Sequence, residues 1–390
     1  MTPHAEPVVP SPPLAAKIAS SRLVVLDWMR GIVMLLMAVD HSSGEFNAGR
    51  LVTDSTFLYK AGTLLPPAQF ITRFITHLCA PTFVFLAGVS LAFSLARRVE
   101  QGDRPWSIDR YLLVRGLIIV TFELVPSYFW MPKGQYLLQV LYAIGSAYLL
   151  MIPLRRLPVR VAVGLAVVVV FGAEAVIGAA GWGPPDKTPW LAALLLSGGP
   201  RGWLFIAYPT LPWLAIMLLG WGFGHALRRR PSAEQLRPRE LLLAGAGALA
   251  VFGAVRSVNS YGNLGLLREN GSLVQWLHVS KYPPSVSYVA LELGLMLLVL
   301  AALARRTRVE GPSPTSGNGP LVVFGQTPMF FYLLHIPLLA LGAHALGVEH
   351  KLGLVAAYGF AALAALLLFP ACTWYRRYRA AHPTSLTRYL

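Results

Sequence analysis

Long apolar runs alternate with short polar connections along almost the whole chain. A helix needs about 20 mostly apolar residues to cross about 30 Å of hydrocarbon. Segments near that length lie at 23–42, 72–96, 111–130, 136–154, 158–180, 202–227, 239–257, 284–304, 320–346 and 352–373. The pattern predicts an all-α fold, a polytopic membrane helix bundle of about ten transmembrane helices. Proline and glycine inside several runs are compatible with this, because membrane helices tolerate both. The run LAALLLSGG at 191–199 is too short to span and reads as interfacial or re-entrant.

Basic residues give the runs a direction. If successive runs alternate, 21 Lys and Arg fall on one side and 10 on the other, leaving Arg30 and Arg115 inside runs. Such an excess marks the cytoplasmic side. Both termini are therefore expected in the cytoplasm, with the bundle in a bacterial inner membrane. Residues 1–20 lack a long apolar run and read as a disordered cytoplasmic tail, not a cleaved signal peptide. The run at 23–42 then serves as an uncleaved signal anchor. Residues 21–380 read as a single transmembrane domain and 381–390 as a cytoplasmic C-terminal tail. No internal repeat and no soluble catalytic domain stands out, so any chemistry belongs in or beside the bundle.

Composition narrows the classes further. The chain is 55% hydrophobic and only 13% charged, whereas soluble domains carry about 25% charged residues. A net charge of +16 raises nucleic acid as a partner, but the loop-by-loop placement of the charge explains it as topogenic. Membrane lipid, and no nucleic acid, is the expected partner. The two cysteines, Cys79 and Cys372, fall in different runs near opposite faces, which argues against a disulfide, whose Cα atoms must approach within about 7 Å. No CxxC or Cys/His cluster is present, so no metal is expected. No GxSxG, Walker, HExxH or dinucleotide-binding pattern appears in its proper context.

Ionisable groups inside apolar runs are costly and mark functional candidates. In LVVLDWMRGIVMLLMAVDH, residues Asp27, Arg30, Met34, Met37 and His41 recur at steps of three and four and form one helical stripe. Arg30 and His41 are separated by about three turns, roughly 16 Å. Arg30 therefore belongs to the inner half and His41, with Asp40 beside it, to the outer half. Asp27 and Arg30 could be an internal ion pair or an anion-binding pair; both readings stand. In the second run Arg73, His77, Pro81, Val84 and Gly88 share a face, placing His77 at a depth similar to His41.

A histidine beside a carboxylate can act as a general base near neutral pH. His41 or His77, with Asp40, is thus the catalytic candidate, against the plainer reading of two histidines at a wet interface. Asp27, Arg30, Glu123, Arg256, Asn259, His278, Lys281 and His335 are candidates for substrate binding. All but the first two fall toward the outer half. For His335 a buried hydrogen bond to a neighbouring helix is an equal alternative. Tyr208 and Trp213 read as an aromatic belt.

Several blocks carry a family resemblance: LDWMRGIVMLLMAVDH, ITHLCAPTFVFLAGVS, YPTLPWLAIMLLGWGFG, KYPPSVSYVALELG and GQTPMFFYLLHIPLL. Together, from Arg22 to Tyr378, they resemble the bacterial relatives of heparan-alpha-glucosaminide N-acetyltransferase, a group of predicted transmembrane acyltransferases. The resemblance implies acetyl-CoA or another acyl-CoA as cytoplasmic donor, and a sugar amine as acceptor on the other side. It also implies a histidine in the first outer loop. This chain has no histidine between Ser42 and Thr76, and the nearest are His41 and His77. Asp40 stands where the animal pattern resembles an asparagine. An inner arginine and outer histidine, here Arg30 and His41, also resemble the donor passage of the broader membrane acyltransferase class.

The expected function is acyl transfer to a hydroxyl or amine of a glycan or envelope acceptor. The donor would dock near Arg30, Arg97, Arg98 and Arg115. Arg256 and Lys281 would meet an acidic acceptor or the developing oxyanion. The competing expectation is a transporter or carrier using the same groups as a proton relay. A third is an envelope-assembly partner without chemistry of its own. A homodimer is left open.

Overall fold

The structure is a computed structural model describing residues 14–183, 186–230, 236–310, 318–382 and 385–389. It is an all-α polytopic bundle. The helices are α1 (Leu14–Phe46), α2 (Pro67–His77), α3 (Cys79–Glu100), α4 (Pro105–Thr121), α5 (Leu124–Trp130), α6 (Val140–Leu154) and α7 (Val159–Ala179). They continue with α8 (Trp190–Ala192), α9 (Thr210–Arg228), α10 (Pro238–Val258), α11 (Leu273–Leu277), α12 (Val286–Glu310), α13 (Pro320–Gln326), α14 (Pro328–Leu346) and α15 (Leu354–Ala381). Three short strands, β1 (Tyr136–Leu138), β2 (Gly199–Arg201) and β3 (Leu204–Ile206), form a sheet in the order β1-β3-β2. Of the expected tails, residues 1–13, 383–384 and 390 lie outside the described residues, and α1 already runs from Leu14.

Eight spans are long and apolar enough to cross a membrane among the described residues: α2–α3, α4–α5, α7, α9, α10, α12, α14 and α15. α6 is shorter, at 15 residues. α1 is longer, at 33, but carries Asp27, Arg30 and Asp40 within its apolar stretch. Prolines open α2, α4, α10, α13 and α14, where the missing N–H is not needed.

The apolar runs are less uniform than their hydropathy. The run at 72–96 breaks at Leu78, that at 111–130 at Phe122–Glu123, and that at 320–346 at Thr327. The runs at 136–154 and 202–227 begin as strands β1 and β3 before turning helical. The short run near 191–199 is α8, a five-residue π-turn (Ala193–Ser197) and the start of β2.

α1 occupies the centre and packs against α3 and α12 to α15. Its Met29, Val33 and Met34 are fully buried. α7 and α10 instead turn apolar side chains such as Val168 and Leu243 outward, as lipid-facing helices do. Close helix approach rests on glycine. A Cβ added to Gly325 of α13 would lie 2.0 Å from the carbonyl oxygen of Asp27, and one on Gly31 of α1 2.1 Å from that of Leu321. Gly88 of α3 and Gly220 of α9 make the same reciprocal contact. Membrane helices associate through such small residues because lipid supplies no hydrophobic drive. The α1–α13 contact locks the backbone that carries Asp27 and Arg30.

Candidate functional site

Two cavities lie along α1, one at each end of its polar stripe. The first, about 710 Å³, is lined by Arg30, Arg97, Arg115 and Arg379, with Asp27 as its one carboxylate. Arg30 Nη1 donates to Asp27 Oδ1 at 2.8 Å and its Nη2 to Ser90 Oγ at 2.5 Å. Gln326 Nε2 donates to the other Asp27 oxygen at 2.9 Å. Arg115 donates to Tyr111 Oη at 2.6 Å, and Arg98 stacks 3.9 Å above the same ring. Four guanidinium groups around one carboxylate leave a positive wall suited to phosphate.

The second cavity, about 540 Å³, is lined by Asp40, His41, Glu45, Arg50, Trp130 and Lys281 among others. The two cavities share Met37, Phe83, Val140 and Tyr332 in their walls. An apolar collar thus separates an arginine cavity from a histidine cavity. Tyr332 Oη, at that collar, is buried without a hydrogen-bond partner. A phenol left unpaired in a low-dielectric site is an available donor.

His41 faces the histidine cavity. Its Nδ1 lies 2.7 Å from His335 Nε2, and His335 Nδ1 lies 2.9 Å from the carbonyl oxygen of Phe331. The Trp130 ring stands edge-on to His41 at 4.6 Å, and its Nε1 donates to Glu45 Oε1 at 2.8 Å, which fixes the indole. His335 itself is fully buried and does not line either cavity.

Asp40 belongs to a different network. Arg73 Nη1 donates to Asp40 Oδ1 at 2.6 Å and its Nε to Asp54 Oδ2 at 2.8 Å. Its Nη2 bonds the same Asp54 oxygen. Arg50 pairs with Asp40 Oδ2 at 3.4 Å, and Thr76 Oγ1 donates to Asp40 Oδ1 at 3.1 Å. Asp54 sits in the loop before α2. Burial alone would raise its carboxyl, but Arg73 and His77 outweigh that and hold it well below the usual carboxylate range.

His77 stands behind this network, 2% exposed, with Nε2 3.2 Å from Asp54 Oδ1 but without hydrogen-bond alignment. It does not line the histidine cavity. The structure thus brings His41 and Asp40 to one cavity and leaves His77 in the wall. It also gives His41 a histidine neighbour, His335, in place of the adjacent carboxylate of Asp40 with which its spacing in the sequence paired it.

The remaining candidates divide between cavity and scaffold. Lys281 is 4% exposed and lines the histidine cavity, its ammonium 5.2 Å from the Tyr282 ring centroid. Arg256 is fully buried, and its donors are taken by Asn263 Oδ1 and the carbonyls of Leu266, Trp276 and His278. Asn259 takes the left-handed position after α10, φ 53°, and bonds both main-chain groups of Arg268. His278 Nε2 donates to the carbonyl of Thr53 at 2.8 Å, while its Nδ1 is buried and unpaired. Burial therefore pushes its pKa below the ordinary value. These three residues shape the connection between α10 and α12. Glu123 accepts from the Tyr142 backbone N–H at 2.6 Å and caps α6.

Tyr332, Trp130, Glu45 and Asp54 were not singled out in the sequence. Tyr332 precedes His335 by three residues, a spacing that puts both on one helix face, so that signal was present. Asp54 lies in an ordinary polar loop and gave none.

The catalytic-domain pattern of the heparan-alpha-glucosaminide N-acetyltransferase family matches residues 22–257. The chain belongs to this family. The matched stretch holds Asp27, Arg30, Asp40, His41, Arg73 and His77. Lys281, Tyr332 and His335 lie beyond it and complete the histidine-cavity side. Family membership supports membrane acetyl transfer as the general activity. No curated protein matches the chain.

Proposed function

We propose that this protein is a ten-span membrane acyltransferase with both termini in the cytoplasm. It moves an acyl group, in the first instance acetyl, from a CoA thioester to an acceptor at the outer face. The observation that carries the reading is the pair of cavities meeting at the Met37–Phe83–Val140–Tyr332 collar, arginines on one side and His41 on the other. The excess of basic loop residues supports the cytoplasmic side for the arginine cavity. There Arg30, Arg97, Arg115 and Arg379 would hold the phosphates of acyl-CoA. Its slender pantetheine arm would run along α1 and bring the thioester to the collar.

On the outer side the acceptor hydroxyl or amine gives its proton to His41 Nε2 as its oxygen or nitrogen attacks the thioester carbonyl. Tyr332 Oη donates to the oxyanion that develops. The C–S bond then breaks, the acyl group stays on the acceptor, and CoA leaves as a thiolate that takes the proton held on His41 Nε2, which restores the base. Lys281, a buried ammonium in the cavity wall, favours a glycan or envelope acceptor carrying a carboxylate or phosphate. Asp40 is held by Arg73 and Arg50 and shapes the wall instead of moving a proton.

The test uses the protein in nanodiscs with acetyl-labelled acetyl-CoA and amino-sugar or hydroxyl-bearing glycans. Label should pass to glycan, and His41→Ala should slow transfer about 10³-fold. Accumulation of a glycan in proteoliposomes under a proton gradient, with no CoA requirement and no label transfer, would establish the transporter instead.

A further inference from the structure

The pair formed by His41 and His335 has a direction that can be worked out atom by atom. A backbone carbonyl oxygen only accepts hydrogen bonds. His335 Nδ1, 2.9 Å from the Phe331 carbonyl, must therefore carry a hydrogen. In a neutral imidazole the other nitrogen is then a lone pair. His335 Nε2 is that lone pair, and it faces His41 Nδ1 at 2.7 Å. Two lone pairs at that distance would repel, so His41 Nδ1 carries the second hydrogen and donates it. His41 Nε2 is left unprotonated, on the ring that lines the cavity.

We infer that His335 is a positioning residue, which fixes the tautomer and ring orientation of His41 so that Nε2 is the base presented to the acceptor. The inference concerns the tautomer itself; its catalytic consequence rests on the acyl-transfer reading above. In serine-protease triads an aspartate holds the histidine in this way. A neutral histidine in the same position brings no negative charge into the bundle, which avoids the cost of burying one there. When His41 takes a proton on Nε2, the pair becomes cationic and the Nδ1–H bond to His335 strengthens as a charge-assisted contact. The charged groups around His41 are then Asp40 on its own helix, Arg50 on the following loop and Lys281 before α12.

His335 is well held for this role. It follows Phe331 by one turn in α14 and packs 5.1 Å from the Phe331 ring and 5.7 Å from that of Tyr332, centroid to centroid. Its own ring lies within 12° of the plane of His41.

The experiment compares His335→Phe, which keeps a ring but removes the acceptor, with His335→Gln, whose side-chain oxygen can take the place of Nε2. The first readout is the imidazole nitrogen spectrum of histidine-labelled protein, assigned with His41→Ala. His41 should show hydrogen on Nδ1 and a bare Nε2 in the native chain and in His335→Gln, and the opposite or a mixture in His335→Phe. The second readout is acetyl transfer. His335→Phe should lower kcat about 10²-fold with the KM for donor and acceptor unchanged, and His335→Gln should recover most of it. A native His41 with hydrogen on Nε2 would overturn the inference, as would equal transfer rates in the Phe and Gln variants. If no transfer is found in any variant, the acyl-transfer reading falls while the nitrogen spectrum still decides the tautomer.

Discussion

The two cavities along α1 use charge in opposite ways. The arginine cavity gathers four guanidinium groups around a single carboxylate, so most of its positive field is unspent and available to a ligand. At the histidine cavity and in the network behind its wall the charges are mostly paired already: Asp40 and Asp54 hold Arg73, Asp40 also holds Arg50, and the base candidate is a histidine bonded to another. Lys281 is its one buried cation without an ion pair among the described residues. A field of one sign suits capture of a polyanion that arrives and leaves. A balanced network suits a rigid wall, because buried ions must be paired to stay. Removing a charge should therefore weaken binding at one end of α1 and weaken the fold at the other.

The largest effect should come from the network. Arg73→Met strands two buried carboxylates, and breaking such a pair is destabilising by about 3–5 kcal/mol. Denaturation of the purified protein in detergent measures it, with Arg97→Met as the control from the arginine cavity. Equal stability of the two variants would end the contrast between the cavities.

At the collar the effect should be kinetic. Tyr332→Phe removes the unpaired phenol and keeps the ring, so kcat for acetyl transfer should fall about 10²-fold with KM for donor nearly unchanged. A rise in KM with unchanged kcat would make Tyr332 a packing residue and leave the oxyanion without that donor.

In the arginine cavity a single neutralisation should be milder. Arg97→Gln should raise the KM for acyl-CoA several-fold, about 1 kcal/mol for one partly solvated charge, and the difference should shrink at high salt. Loss of kcat at saturating donor would place Arg97 in the reaction and not at its entrance.

The contrast was half legible in the sequence. Asp27, Arg30 and His41 were placed on one stripe of α1 by their spacing, and the structure sets Asp27 and Arg30 in one cavity wall and His41 in the other. Periodicity within one helix is a local property, and it carries over. Partners supplied by other helices are not local. His77 matched His41 in depth, yet a turn of α2 directs it to Asp54 in the preceding loop. Arg256 looked like a free cation at a helix end, but the loop after α10 folds over it and offers carbonyl oxygens. Hydropathy located the spans and concealed their breaks at Leu78, Glu123 and Thr327, since an interrupted helix can be as apolar as a continuous one.

The smallest effect is one of pH, and it separates the two loops that support the histidine cavity. Asp54 has a depressed pKa because Arg73 and His77 outweigh its burial. A depressed carboxylate contributes stability that is complete above its unfolded pKa of about 3.9 and is lost only as pH falls toward the folded value. His278 is depressed for a different reason: burial with Nδ1 unpaired favours the neutral ring. Below about pH 6.5 the unfolded chain binds a proton at His278 that the folded chain refuses, so stability declines as pH falls. Thermal unfolding between pH 8 and pH 5, followed by tryptophan fluorescence, should show a decline of which the His278 share, read as the native chain minus His278→Asn, is no more than about 1.4 kcal/mol per pH unit. His278→Asn should make the profile shallower in that window even if it lowers the whole curve, whereas Asp54→Asn should lower the curve without making it shallower. If Asp54→Asn removed the slope and His278→Asn kept it, the network would be titrating in the range where its charges are taken to be fixed. The histidine cavity would then lose its rigid wall.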